Sequence, residues 1–273
     1  MSDPFTPIEL AAVDTRAAVL PYGAHVTSWV TPDGAEQLFL SARSAHAPGK
    51  AIRGGVPVIF PQFSDRGPLP KHGFARTHPW AAARRAPNEA VLALRDDAAT
   101  RALWPHAFAA ELTVTVEADA LRVALAVENT GDAPLAFTGA LHTYLRVDDV
   151  ADVRVDGLRG VRYQDATAGR VERRDDEASL RFAGEVDRVY LDVPNDVTVR
   201  EPGRARVVSA EGFPDVVVWN PGETLARTLA DLEPDGWRRF VCIEAAAVAR
   251  PVEVAPGARW TGRQRLALTA STS

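Results

Sequence analysis

The chain has 273 residues, 46% hydrophobic and 25% charged, and a net charge of −5, enough apolar chain to bury a core without disulfides or structural metal. Its one cysteine, Cys242, excludes an intramolecular disulfide, and the acidic balance weighs against a general nucleic-acid binder. No run approaches the roughly 18 apolar residues of a membrane-spanning helix, and Met1-Ser-Asp-Pro lacks the basic region and apolar core of a secretory signal, so a cytoplasmic protein is expected.

Period-two alternation dominates the pattern. Runs at 24–30, 37–41 and 90–94 read as short strands. Leu112, Val114 and Val116 then alternate with Thr113, Thr115 and Glu117, and Leu121, Val123, Leu125 and Val127 alternate with Arg122, Ala124, Ala126 and Glu128. A short turn joins the two runs, which predicts a β-hairpin with one buried face. Turn residues follow at 129–134, and a further strand begins near Leu135. Strand patterns recur at 153–155, 197–200, 206–209, 216–219, 240–245 and 263–268. The polar stretch 167–179 reads as an exposed loop or edge hairpin, and 221–232 allows at most a short helix. Many short strands with frequent turns predict an all-β chain, sandwich or closed, in one domain over 1–273.

Residues 51–80 break the alternation. The segment is rich in Gly and Pro, yet also apolar and aromatic, and it carries Arg53, Lys71, His72 and Arg76. Such a composition suits backbone folded tightly around a pocket. Gly54-Gly55 permits close backbone approach, and Pro57, Pro61, Pro68 and Pro70 stiffen the loop. Two guanidinium forks aimed at one point would bind a phosphate dianion; equally, Arg53 and Arg76 would tie the loop to acidic neighbours or backbone carbonyls. Arginine outnumbers lysine so heavily here, with Lys50 and Lys71 the only lysines, that a single arginine is a weak signal.

Two strands carry candidate chemistry. In 139–147, Leu141, Leu145 and Val147 share one face, while His142, Tyr144 and Arg146 share the other. His142 is therefore either a sugar-facing group beside an aromatic or a partly exposed structural histidine. In Phe240-Val-Cys-Ile-Glu-Ala-Ala246, Glu244 sits among apolar residues on both strand faces. Burying a carboxylate is costly, so Glu244 is either a tuned base or one half of a buried ion pair. Asp187 precedes a strand and reads by itself as an ordinary loop carboxylate; Trp219 reads as core. The six histidines show no metal-ligand spacing, no nucleotide-binding or serine-hydrolase motif is present, and Cys242 reads as an inert mid-strand thiol.

Taken in order, Ile52-Arg-Gly-Gly-Val-Pro-Val-Ile-Phe-Pro61, Leu69-Pro-Lys-His-Gly-Phe-Ala-Arg76, Leu141-His-Thr-Tyr144, Asp187-Arg-Val-Tyr190, Val218-Trp-Asn-Pro221 and Val241-Cys-Ile-Glu-Ala245 resemble the aldose 1-epimerase superfamily, and within it the hexose-6-phosphate mutarotases of the glucose-6-phosphate 1-epimerase type. The resemblance implies the large antiparallel supersandwich of galactose mutarotases. It also implies His142 and Glu244 as the catalytic acid and base, Arg53 and Arg76 at the phosphate, and Asp187 and His72 at the sugar. Lys71 joins the substrate-binding candidates, although some relatives carry an uncharged residue there. The stretch 64–69 between the two arginine blocks is compact, which points to a different pocket rim. The expected partner is a small sugar phosphate, with no cofactor, no metal, no nucleic acid and no membrane, acting on a monomer. A mutarotase for unphosphorylated aldoses, a non-catalytic carbohydrate-binding protein and a β-sandwich glycosidase or lyase are the rival readings.

Overall fold

The computed structural model describes residues 3–269. Its strands in chain order are β1 (Ile8–Ala12), β2 (Thr15–Leu20), β3 (His25–Val30), β4 (Val58–Ile59), β5 (Ala81–Ala86), β6 (Glu89–Arg95), β7 (Phe108–Val116), β8 (Ala120–Asn129), β9 (Leu135–Leu141), β10 (Tyr144–Arg146), β11 (Arg154–Asp156), β12 (Arg162–Asp165), β13 (Val171–Arg174), β14 (Val186–Tyr190), β15 (Val197–Glu201), β16 (Arg204–Glu211), β17 (Asp215–Asn220), β18 (Phe240–Val254) and β19 (Arg259–Thr269). Two short α-helices, α1 (Ala98–Leu103) and α2 (Gly222–Ala226), complete the regular structure with a few 3₁₀ turns. Among the described residues no helix is long and apolar enough to cross a membrane.

Every strand pair is antiparallel. One eight-stranded sheet runs β13-β12-β14-β17-β18-β9-β4, with β10 also on β18. A second runs β11-β15-β16-β19-β8-β7-β6-β5, and β1-β2-β3 form a small third sheet. The two large sheets pack face to face. Leu112 and Val114 of β7 and Val123 and Leu125 of β8 share one buried cluster with Val241 and Ile243 of β18.

The alternation expected for the hairpin is present in full. Phe108, Ala110, Leu112, Val114 and Val116 of β7 are buried, and the residues between them are half-exposed. The stretch 167–179 carries β13, the outer strand of an edge hairpin whose other strand, β12, precedes it, and the short helix after Pro221 is α2. One expected strand is absent. Residues 37–41 make only isolated bridges, Leu38 to Leu145 and Leu40 to Gly54, because their hydrogen bonds are split between β10 on one side and the 53–55 loop on the other.

Strand β18 decides where chemistry can sit. Val241 and Ile243 point into the inter-sheet core, so Cys242 and Glu244 point out of the opposite face. That outer face is roofed by residues 51–80. Phe60 anchors the roof, its ring 5.2–6.1 Å from those of Phe74, Trp104, Phe108 and Phe137. Glycine is required where the roof meets the sheet edge: a Cβ on Gly73 would lie 2.2 Å from the Phe60 carbonyl oxygen, with φ at +67°.

Phe60→Ala removes the roof's buried anchor and leaves a cavity, so a loss of about 3–5 kcal/mol is expected. A urea titration should show a much lower midpoint with an unchanged slope.

Candidate active site

Strand register sets out a cleft of about 420 Å³ on the outer face of the β12–β14–β17–β18 sheet. One row of paired residues runs Gln164, Val189, Val217, Glu244. The neighbouring row runs Asp187, Trp219, Cys242, Tyr144. Residues 51–80 form the facing wall. All seven residues nominated from the sequence border this one cleft.

His142 stands opposite Glu244 because β9 and β10 both pair with β18 in one unbroken register, Leu141 to Ala245 and Tyr144 to Cys242. The two residues between β9 and β10 part ways. Thr143 turns inward and its hydroxyl meets Gln264 Oε1 at 2.5 Å, while Gln264 Nε2 donates to the Ile243 carbonyl at 3.1 Å. His142 is left facing the cleft, with its Nε2 3.3 Å from Glu244 Oε1. Its ring stacks on Tyr144, centroids 4.9 Å apart and planes 11° from parallel. Thus Glu244 is half of a buried pair, as one reading of the strand allowed, but its partner is a histidine.

The pair is dry. Glu244 is 1% exposed and His142 7%, so His142 is not the partly exposed group that its strand face suggested. Burial pushes the Glu244 carboxyl well above its usual range, with the Asp187 charge adding to the effect. Burial also lowers His142 to about 3, helped by the charges of Arg76 and Arg53. Both shifts favour the neutral form of each member. Glu244 Oε2 and His142 Nδ1 are buried with no hydrogen-bond partner among the described residues.

Three cations flank the histidine. Arg53 Nε donates to Asp231 Oδ1 at 2.8 Å and its Nη1 lies 3.4 Å from the Tyr144 hydroxyl. Arg76 Nη2 donates to the Lys71 carbonyl oxygen at 3.0 Å, and its buried Nε has no partner. Lys71 is exposed at the mouth. Arg53 therefore does tie the loop to an acidic neighbour, but Asp231 is one carboxylate set against three positive side chains. Burial pulls the Arg76 guanidinium below its ordinary value, as expected for a cation that lacks an anion.

His72 is held in a costly conformation. Its φ is +69°, a region that disfavours a residue with a Cβ and is tolerated where surrounding contacts over-determine it. Two contacts do so: its N–H donates to the Ser64 carbonyl at 2.9 Å, and Nδ1 accepts from the Ser64 N–H at 3.3 Å. Burial and the Arg76 charge keep the ring neutral, so with Nδ1 accepting, Nε2 carries the proton. Asp187, on the sheet side, is raised to about 6 by burial and by Glu185. Among the described residues no group of three or more His, Cys, Asp or Glu side chains is disposed to hold a metal ion.

Residues 8–267 match the family model described as aldose 1-epimerase. The chain belongs to the aldose 1-epimerase family. A protein of Cenchrus ciliaris provisionally named glucose-6-phosphate 1-epimerase is 36% identical, over 94% of this chain and 82% of its own length. A protein of Escherichia coli with the same provisional name is 33% identical, over 90% and 86%. The solved structure of YeaD from Salmonella typhimurium, provisionally titled a mutarotase, superposes with a TM-score of 0.88 at 30% identity, covering 97% of this chain and 90% of that one. A galactose mutarotase related enzyme from Lactobacillus acidophilus shares the fold, with a TM-score of 0.77 at 15% identity. The supersandwich expected from the motifs is the architecture observed.

Several residues bordering this cleft escaped the sequence reading. Trp219, read as core, borders the cleft, its ring edge-on to His142 at 5.9 Å. Asp231, which pairs with Arg53, was not singled out in the sequence. Arg66 and Gln164 carried no signal, because the rows that unite them depend on register between distant strands.

Above about pH 4.5 an unfolded chain ionises Glu244 while the folded chain keeps it protonated. The fold then holds the extra proton, so this group costs stability progressively as pH rises toward its folded pKa. Glu244→Gln cannot ionise and escapes that cost. Its urea midpoint should exceed that of the unsubstituted protein at about pH 8, with the two converging toward about pH 5.

Proposed function

We propose that the protein interconverts the α and β anomers of an aldohexose 6-phosphate, acting as a glucose-6-phosphate 1-epimerase. The carrying observation is that a dry Glu244–His142 pair and an excess of guanidinium charge meet in a single cleft. The 6-phosphate occupies the cationic end formed by Arg53, Arg76 and Lys71. That places C5 and the ring oxygen beside His142 and the anomeric hydroxyl at Glu244.

Ring opening needs one proton removed and one supplied. Glu244 takes the proton from O1, the O1–H electrons form the C1=O1 bond, the C1–O5 bond breaks, and O5 takes a proton from His142. Rotation about C1–C2 presents the other aldehyde face. Reclosure returns the O5 proton to His142 and the Glu244 proton to O1. The steps balance with these two side chains.

The reacting form of the pair is carboxylate with imidazolium, whereas burial and the neighbouring arginines favour both groups neutral. The two forms hold the same number of protons, so a shift of one proton from Glu244 to His142 converts resting into reacting enzyme. A phosphate dianion on Arg53 and Arg76 offsets the positive charges that oppose imidazolium. Phosphate binding and acid strength are thereby linked. His72 Nε2–H and Asp187 supply a donor and an acceptor to sugar hydroxyls.

Three outcomes are expected. Glu244→Gln should fold and lose about 10²–10⁴-fold in catalysed anomer exchange, measured by NMR saturation transfer on glucose 6-phosphate; near-normal exchange would remove Glu244 from the chemistry. Arg53→Ala combined with Arg76→Ala should raise KM for glucose 6-phosphate by about two orders of magnitude or more, from two lost charge-assisted contacts, and should not slow any exchange of free glucose, since two charges that oppose imidazolium are gone. Equal losses on both sugars would point to unphosphorylated aldoses. Finally, the His142 ring should titrate at higher pH with inorganic phosphate bound than without it, as read from its NMR chemical shift.

A further inference from the structure

The phosphate clamp and the acid/base pair account for one edge of a hexose 6-phosphate: C6, C5, O5 and C1. In a pyranose ring, C3 lies across from O5 and C4 across from C1. Whatever reads the hydroxyls on C3 and C4 must therefore stand across the cleft from Glu244. The row from Glu244 over Val217 and Val189 ends at Gln164. Three strand intervals separate the two ends, about 14 Å of backbone. Two valine side chains floor the space between, apolar enough for the C–H face of one sugar ring.

Arg66 occupies that far end. Its Nη1 donates to Gln164 Oε1 at 2.8 Å, and it borders the cleft together with Asp187 and Val189. Among the described residues it has no carboxylate within 4.0 Å and no partner for Nε or Nη2. This absence is notable because Asp65, Glu185 and Asp187 border the same cleft. Burial lowers the Arg66 guanidinium, with Arg170 acting in the same direction and Asp187 against it.

The mount is built, not loose. Buried Gln62 closes the 62–69 turn by donating from Nε2 to the carbonyl oxygens of Ser64 and Leu69, 3.0 Å each, and accepting from Leu69 N–H at 2.9 Å. A Cβ on Gly67 would lie 2.4 Å from Gln62 Oε1, so glycine there leaves the Gln62 amide undisturbed. The Arg66 N–H donates to the Phe63 carbonyl at 3.1 Å. Asp65 pairs with Arg170 across the cleft rim, tying the turn to the β12–β13 hairpin. The side chain is thus held at both ends while two guanidinium nitrogens remain unused.

We propose that Arg66, braced by Gln164, is a specificity-determining residue that donates hydrogen bonds to the C3 and C4 hydroxyls of the hexose 6-phosphate. The assignment rests on the mutarotase reading above. A guanidinium only donates, so at the half-exposed rim it hydrogen-bonds the oxygens of hydroxyls in one configuration and loses those bonds to the other. Asp187, on the adjacent row, accepts from the same hydroxyls.

The test is anomer exchange measured by NMR for glucose 6-phosphate and its C2, C3 and C4 epimers, mannose, allose and galactose 6-phosphates. The unsubstituted protein, Arg66→Leu, Arg66→Lys and Gln164→Leu are compared. The unsubstituted protein should discriminate among the C3 and C4 epimers. Arg66→Leu should raise KM for the preferred sugar about 10- to 100-fold, the loss of two charge-assisted hydrogen bonds from a half-exposed guanidinium, and keep kcat within about twofold. It should also collapse discrimination at C3 and C4 while preserving that at C2. Arg66→Lys should recover part of the affinity, and Gln164→Leu should shift KM the same way by less. Unchanged KM and epimer ratios in Arg66→Leu, or a fall in kcat with KM constant, would overturn the assignment and leave the mutarotase reading standing. Failure of the unsubstituted protein to accelerate exchange of any hexose 6-phosphate would overturn both.

Discussion

The contact between Glu244 and His142, 3.3 Å long and shut off from water, is the constraint around which the rest of the molecule is arranged. A carboxyl and an imidazole at a surface would each be solvated and titrate near their ordinary values. Here burial pushes both toward their neutral forms, so the proton rests on Glu244 and the charge-separated arrangement is disfavoured. Such a pair exists only if a sheet delivers the two side chains to the same point and something else keeps water off them. The first condition is met by the register of β18 against β9 and β10, the second by the roof of residues 51–80.

Division of labour on β18 makes the cost bearable. Its inward residues, Val241 and Ile243, belong to the core between the two large sheets. Its outward residues are therefore released from the main hydrophobic task. Even so, two small apolar clusters flank Glu244 on that outer face, one around Val189 and Val217 and the other around Tyr144, Phe240 and Cys242. The cleft floor thus combines an apolar surface with a low-dielectric setting for the Glu244–His142 pair, which suits the sugar chemistry proposed above. The roof contributes its own strain at His72, which is sustained by the aromatic packing of Phe60 at its base.

Much of this was legible from alternation alone. The β7–β8 hairpin and the apolar setting of Glu244 follow from period-two patterning, because side-chain direction in a strand is fixed by the chain itself. What alternation does not carry is register between strands far apart in sequence. That is why Trp219 read as core, why Arg66 and Gln164 carried no signal, and why His142 looked like a partly exposed residue on a polar face. Its burial is imposed by the roof, a segment some 70 residues earlier in the chain. The first two strands were overlooked for a different reason. Ile8–Ala12 and Thr15–Leu20 are alanine-rich, and alanine has little intrinsic preference for strands. They form because a neighbouring strand and the β6–β7 surface are there to pack against.

Electrostatic continuity joins the two ends of the cleft. Arg53 touches the Tyr144 hydroxyl, Tyr144 stacks on His142, and the charges of Arg53 and Arg76 are among the reasons His142 stays neutral. Under the proposed chemistry, a ligand that brings a dianion to those arginines does more than bind: it permits the proton shift that arms the acid. A free hexose would fill the sugar end of the cleft and leave the arginines uncompensated, so the pair would remain in its resting form. Discrimination against unphosphorylated sugars would then reside in kcat as well as in KM, and saturating the cleft with free hexose would not recover the rate. Binding energy at a group remote from the reacting bond is converted into acid strength at the bond itself.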